Sequence, residues 1–350
     1  MAVRSALQHS RLLTLTGPGG AGKTRLALAA GAQARAPAGA AWVELAEVVD
    51  PHLVTETVRT VLAVPGASGS ATQAIVEGVG DAELLLALDN CEHLTAATAT
   101  LVDQLLEGCP QLRVLATSRG RLGVEGEQIW PVAPLAAPDR EQVSVDAVRA
   151  APAARLFELR AQAVDPAFEI TDANAAAVGR LCRRLDGLPL AVELAAARMR
   201  MLSVEQVLTG LDDVFRLLSG GPRTGPARHQ SLRATLDWDH DLLSEGERVL
   251  FRRLGVFPGS FDLAAAVAVA GPRELGGGPV GAELVDLLAG LVDQSLVTVR
   301  RVAGQVRYRL LAPVRSYARE HLVIAGEQAT VAGAHLDHYA ALVEHSQPLL

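Results

Sequence analysis

The chain has 350 residues, too many for one ordinary domain, and 49% of them are hydrophobic, enough for two or three packed cores. Aromatic residues make up only 3%, so alanine and leucine must fill those cores, a composition that favours packed helices. A formal net charge of −7 argues against a general nucleic-acid coat, which needs clustered cations, and leaves room for a local basic patch.

In chain order, residues 12–16 are a short apolar run ending in glycines, which predicts a strand, and a helix follows over 23–35. Residues 42–45 predict a second strand. Asp50-Pro51 then looks like an N-cap with proline at the first helical position. Residues 84–88 are a continuous apolar run that ends in Asp89-Asn90, with a helix after it near 96–107. Residues 113–117 form another strand, closing in Ser118-Arg119. Strands this apolar, alternating with helices, imply a parallel sheet buried on both faces.

Pro131, Pro134 and Pro138 mark a boundary, and the pattern beyond it is helical. Helices are predicted over 151–163, over 171–185 with a stop at Asp186-Gly187, from Pro189 to about 201, and behind a Ser203/Gln206 capping box. Residues 219–226, rich in glycine and proline, read as a linker. Further helices follow at 232–243, at 247–254 behind a Ser244/Glu247 capping box, and at 283–293. Residues 296–301 and 306–310 flank Ala303-Gly304, a hairpin signal. Three helices and a hairpin are the order of a winged helix. More helix is predicted from near Ala312 and over 330–343. The expected architecture is an α/β P-loop nucleotide-binding domain with a parallel sheet over 1–135. A helical domain over 150–218, a winged-helix domain over 227–325 and the start of a helical segment over 328–350 follow it.

Cys91, Cys109 and Cys182 form no C-x-x-C pair, so reduced thiols are expected rather than a metal or redox pair. Polar residues interrupt the N-terminal apolar stretch, so no signal peptide is expected. The apolar run 263–270 falls far short of the roughly 20 residues a membrane span needs. A soluble, cytoplasmic protein without a membrane partner is the expectation.

The sharpest motif is Gly17-Pro18-Gly19-Gly20-Ala21-Gly22-Lys23-Thr24, which matches G-x-x-x-x-G-K-[ST] between a predicted strand and a predicted helix. Glycines at Gly17, Gly19, Gly20 and Gly22, with Ala21, let successive backbone N–H groups turn towards phosphate oxygens at a helix N-terminus. Lys23, the only lysine in the chain, would reach the β- and γ-phosphates, and Thr24 would ligate Mg²⁺. Arg25 follows and is counted with the nucleotide-binding residues. The bland alternative is a glycine-rich turn with an incidental lysine.

The apolar run ending in Asp89 is a Walker B pattern, which places a carboxylate at the C-terminal end of a buried strand to hold Mg²⁺. Vigorous P-loop ATPases often carry glutamate next, to activate water. This chain has Asn90, a poor base, so hydrolysis is expected to be slow. Glu92 is an alternative base, but it reads better as a solvated loop carboxylate. Arg119, at the end of the 113–117 strand, can touch a γ-phosphate and is the third candidate catalytic residue with Lys23 and Asp89. Arg300, Arg301, Arg307 and Arg309 on the hairpin read better as a solvated face than as a DNA-binding wing. Gly187-Leu188-Pro189 is explained sufficiently by a helix–helix corner.

Together the stretches 13–28 (LTLTGPGGAGKTRLAL), 84–94 (LLLALDNCEHL), 113–119 (RVLATSR), 185–197 (LDGLPLAVELAAA), 231–243 (SLRATLDWDHDLL) and 287–297 resemble the NB-ARC (STAND) nucleotide switches, in particular bacterial regulators of the SARP and LuxR-like kind. The resemblance covers about residues 11–325. It implies that ATP or ADP is the ligand, that Pro189 packs near the adenine and that Arg119 senses the γ-phosphate. It also implies that the winged helix folds back on the nucleotide domain rather than reading DNA. ADP would hold such a chain closed, and ATP would open it for self-association. Many relatives carry Met-His-Asp in the winged helix where this chain has Leu310-Leu311-Ala312. Relatives usually add an effector domain and a helical-repeat sensor, so partners supplying those roles are expected. A working ATPase motor and a DNA-binding regulator are the competing readings.

Overall fold

A computed structural model describes residues 2–34, 36–65, 69–141, 144–218, 231–270 and 281–346. By contacts the chain divides into two units: Met1–Pro18 with Gly22–Ala133, and Pro134–Leu350 with Gly19–Ala21. The architecture is an α/β P-loop fold with a parallel sheet, followed by helices and a winged helix.

The first unit is built on five parallel strands: β1 (Leu12–Thr16), β2 (Ala40–Glu44), β3 (Leu85–Asp89), β4 (Arg113–Ser118) and β5 (Gln128–Pro131). Their order is β2-β3-β4-β1-β5. Side chains alternate between the faces, and both faces are apolar. Leu12, Leu86, Leu88, Val114 and Ala116 pack with helical residues such as Val58, Ile75 and Leu105 in one core. Leu13, Leu15, Leu85 and Leu115 pack with Ala27, Ala30 and Leu7 in another. Double-sided burial is why these strands read as unbroken apolar runs.

Several predicted boundaries shift for local reasons. The helix after β1 covers Lys23–Gly31, and Arg35 lies outside the described residues. Asp50-Pro51 does not start a helix. The Asp50 carboxylate accepts the His52 N–H at 2.9 Å in a turn, and the helix runs Leu53–Val61. The helix expected from Thr171 begins at Ala175, because Asn174 folds back on the backbone at both Thr171 and Glu169. The Pro189 helix stops at Ala196 and tightens into a 3₁₀ turn, Ala197–Arg200. The sequence pattern missed β5, an exposed edge strand ending in proline, and the helices Ala2–His9, Ala71–Val79 and Val145–Ala150. The predicted linker 219–226 lies outside the described residues.

In the second unit both predicted capping boxes form reciprocally, at Ser203/Gln206 and Ser244/Glu247. The hairpin is β6 (Thr298–Val302) with β7 (Gln305–Arg309), turned by Ala303 and Gly304, both left-handed at φ 50° and 80°. Its arginines divide. Arg307 pairs with Asp262 at 3.1 Å and Arg309 with Asp186 at 2.5 Å, whereas Arg300 and Arg301 are exposed. The expected solvated face therefore holds for half of the set only.

Gly187 has a second reason besides the corner. A Cβ there would lie 1.8 Å from the Leu135 carbonyl oxygen, while Leu135 N–H donates to Gly187 O at 3.0 Å. Close backbone pairing admits glycine alone. Asp186, left-handed at φ 49°, turns its carboxylate to Arg309 and to the Ala312 N–H, each at 2.5 Å.

Glu327, just ahead of the Gln328–Ser346 helix, is clamped by Arg252 at 2.7 Å and Arg253 at 3.0 Å. Burial pushes its carboxyl up, but the hydrogen bonds and charges of the two arginines outweigh that and hold it at about 2, against 4.5 unfolded. A depressed carboxylate stabilises the fold above the unfolded pKa, and that contribution is lost as pH falls from 4.5 towards about 2. Glu327→Gln is expected to cost roughly 3 kcal/mol at neutral pH, as for a broken buried pair. Denaturant titrations should show the gap closing through that acid window; a gap independent of pH would contradict the assignment.

Candidate functional site

The loop between β1 and the Lys23–Gly31 helix begins at Gly17. A Cβ there would meet the Val132 carbonyl oxygen at 2.6 Å, so the chain leaves β1 only as glycine. Gly22, left-handed at φ 92°, immediately precedes the helix, whose N-terminus has no side-chain cap. The positive end of the helix dipole there favours an anion. Lys23 is 7% exposed, and its ammonium donates to Gly17 O at 2.7 Å and Pro18 O at 3.2 Å. The lysine is thus folded over the loop, where phosphate oxygens would meet it.

Strand order brings the rest together. β4 lies between β1 and β3, so the ends of three neighbouring strands converge. Asp89, 2% exposed at the end of β3, accepts Thr24 Oγ1 at 2.9 and 3.1 Å on its two oxygens. It also accepts Thr117 Oγ1 at 2.5 Å. Thr117 in turn takes the Asn90 N–H at 3.0 Å. The predicted pair Thr24 and Asp89 is therefore in direct contact. Sequence reasoning missed Thr117, which it treated as strand; a hydroxyl at the C-terminal end of a strand two residues before Arg119 was the available signal. Burial pushes the Asp89 carboxyl up, the Thr117 and Thr24 hydroxyls pull it down, and Glu92 and Glu44 push it up again.

Asn90 is left-handed at φ 64°, and its side-chain amide donates to Glu92 Oε1 at 3.4 Å. Glu92 is not solvated, contrary to expectation. Its side chain is 4% exposed and pairs with Arg119, itself 3% exposed, at 3.5 Å from Nε. The 3₁₀ turn Cys91–His93 after β3 folds the carboxylate inward, which an apolar-run reading of the strand does not reveal. Arg25 is exposed on the first turn of its helix. Pro189 is half-buried and belongs to the second unit, where it opens the Pro189–Ala196 helix, and Gly19–Ala21 group with that unit.

The donor set fits Mg²⁺ bound with a nucleotide. Among the described residues no cluster of three or more His, Cys, Asp or Glu could hold a metal by itself. One carboxylate and one hydroxyl already within hydrogen-bonding distance suit a hard cation that takes its other ligands from phosphate and water. Among the described residues no helix is long and apolar enough to cross a membrane.

Asp89 has a testable cost. Its raised pKa means the folded state binds the proton more tightly than the unfolded one, so ionisation above the ordinary value of 3.8 destabilises the fold. Asp89→Asn keeps an oxygen for both threonines and removes the buried charge. Without nucleotide, this variant is expected to melt at the same temperature as the parent or higher at neutral pH. Mg²⁺ should raise the melting temperature of the nucleotide-bound parent but not that of the variant. A clear loss of stability in the nucleotide-free variant would contradict the reading.

A winged helix-turn-helix domain model matches residues 243–323. "Putative HTH-type transcriptional regulator Rv0890c" of Mycobacterium tuberculosis is 45% identical over 341 residues, 97% of this chain and 37% of that protein. The chain thus spans little more than a third of that relative's length. Among solved structures, a STAND protein with a tetratricopeptide repeat sensor from Pyrococcus horikoshii aligns at 16% identity and TM-score 0.39, over 96% of this chain and 44% of that one. The Aeropyrum pernix ORC2 protein aligns at 15% identity and TM-score 0.45, over 95% and 93%. "Uncharacterized protein Rv0894" of M. tuberculosis is 42% identical over 339 residues, covering 96% of this chain and 82% of its own. At that identity and coverage, the chain belongs to the same protein family as mycobacterial Rv0894.

Proposed function

We propose that the chain is an ATP- and ADP-binding regulatory switch with slow, Mg²⁺-dependent hydrolysis, acting as part of a transcriptional or signalling regulator of the STAND/NB-ARC kind. The contact of Thr24 with Asp89, beside a buried Lys23 folded over its loop, carries the reading. In this account Gly17, Gly19, Gly20, Ala21, Gly22, Lys23, Thr24 and Arg25 hold the nucleotide. Thr24 and Asp89 hold Mg²⁺, whose chemistry when bound is to neutralise phosphate charge. Pro189 packs near the adenine. The domain limits are those expected from the sequence: 1–135, 150–218, 227–325 and 328–350.

Slow turnover follows from what surrounds Asp89. The next residue is Asn90, and the nearby Glu92 is engaged by Arg119 and by the Asn90 amide, so neither is poised as a base for water. Arg119 is the γ-phosphate reader. An added phosphate competes with Glu92 for the guanidinium, and that exchange makes ATP and ADP energetically distinct. The ATP form self-associates, and effector and sensor roles fall to further domains or partner proteins. The regulator assignment draws on the name of the 45%-identical relative. DNA contact by the hairpin is not assigned, since Arg307 and Arg309 are spent in ion pairs.

Two measurements test this. Denaturing the purified chain is expected to release adenine nucleotide, and Lys23→Ala is expected to release about tenfold less or none, as for lost charge-assisted hydrogen bonds. Steady-state ATP turnover should stay well below one per second at every protein concentration, against the 1–10³ per second common for enzymes. Equal loading of both proteins would remove the site, and turnover of many per second would replace the switch with a working ATPase.

A further inference from the structure

A second arginine-rich feature lies wholly within the second unit. A cleft of about 720 Å³ is lined by Arg140, Arg180, Arg183, Arg184, Arg309 and Arg315. None of its lining residues is acidic. That density of cations is unexpected in a chain with net charge −7. Its origin is local. Arg180, Arg183 and Arg184 share one face of the Ala175–Arg184 helix, spaced three and four residues apart. Arg309 ends β7, and Arg315 sits in the helix Ala312–Ile324 that follows it.

Several of these guanidiniums are already positioned. Arg183 donates to the Pro138 and Asp139 carbonyls at 3.0 and 3.1 Å, and Arg184 to Leu208 O at 3.0 Å. Arg309 is fixed by Asp186, and Arg315 donates to Pro258 O. The carbonyl acceptors orient the Arg183 and Arg315 guanidiniums without neutralising them, whereas the Asp186 carboxylate balances Arg309. Burial pushes the pKa of Arg315 down, Asp186 pulls it up, and Arg309 and Arg319 push it down again. Clustered cations with low-dielectric walls concentrate positive potential and attract anions.

We propose that this cleft binds a small, multiply phosphorylated anion, as a site separate from the P-loop. Arginine's planar fork matches phosphate oxygens in pairs, and the exposed forks of Arg140 and Arg180, beside the other arginines of the lining, suit more than one phosphate. The volume lies within the range of roughly 300–1,000 Å³ usual for small-ligand sites. The exposed arginines Arg300 and Arg301 are not among its lining residues. The ligand would bridge the Ala175–Arg184 helix to Arg309 and Arg315, reinforcing the tie that Asp186 makes to β7 and to Ala312. Phosphate at this site therefore stabilises one arrangement of the second unit.

The test uses the 350-residue chain carrying Lys23→Ala, to weaken the P-loop, with inorganic tripolyphosphate as the probe. Calorimetric titration should give saturable one-to-one binding and a concentration-dependent rise in melting temperature. Sulfate at matched ionic strength should reproduce neither. Arg140 and Arg180 are both exposed, so Arg140→Gln with Arg180→Gln should fold normally by circular dichroism. That pair should weaken tripolyphosphate binding at least about tenfold, whereas Arg300→Gln with Arg301→Gln should leave it unchanged. Binding that survives the Arg140/Arg180 substitutions would place the anion elsewhere and overturn the proposal. So would equal binding of sulfate, tighter binding of a short duplex or of oligoglutamate, or no saturable binding.

Discussion

A carboxylate with 2% exposure at the end of a buried strand is the constraint on which the first unit turns. Charge in such a place is unfavourable unless it is hydrogen-bonded and balanced. The Asp89 side chain gets two hydroxyls, from Thr24 at the start of the P-loop helix and from Thr117 on β4. Neither carries charge, so they lower the cost without removing it. A cation does what they cannot. The geometry that makes Asp89 unfavourable alone is the geometry that makes it a good ligand for a metal arriving with phosphate.

That arrangement was partly legible in the sequence. The glycine pattern, Lys23 and the apolar run into Asp89 each announce their chemistry, because backbone freedom and strand burial leave a direct mark on residue type. Helices with reciprocal caps, such as those behind Ser203 and Ser244, were equally plain. Strand order was not. Nothing local says that β4 inserts between β1 and β3, so Thr117 had no visible role until the topology placed it. Glu92 was misread for a related reason. Its burial depends on a single 3₁₀ turn and on Arg119, 27 residues away. Asp50-Pro51 misled in the opposite direction, since an Asx turn and an N-cap use the same residues. The β5 edge strand, exposed and ending in Pro131, lacks the apolar alternation that identifies strands.

The second unit shows how average charge conceals local charge. A chain of net −7 places Arg307 and Arg309 in ion pairs, lines a cleft with six arginines and clamps Glu327 between two more. Asp186 is central to this. It follows a helix end and precedes Gly187, whose close pairing with Leu135 fixes the corner. From there its carboxylate reaches both β7 and the first turn of the next helix. The Leu310-Leu311-Ala312 stretch is thus tied by the Ala312 N–H as well as by the buried side chains of Leu310 and Leu311. A corner that looked merely structural in the sequence is also a tie between the helical segment and the winged helix.

The account rests on nucleotide and metal being bound together at Lys23, Thr24 and Asp89. The most direct measurement is calorimetric titration of ADP into nucleotide-free chain, with Mg²⁺ and with chelator. The account predicts one site whose affinity falls at least about tenfold when Mg²⁺ is withdrawn, as for lost charge-assisted contacts. Binding that is indifferent to Mg²⁺, or the absence of any saturable site, would contradict it.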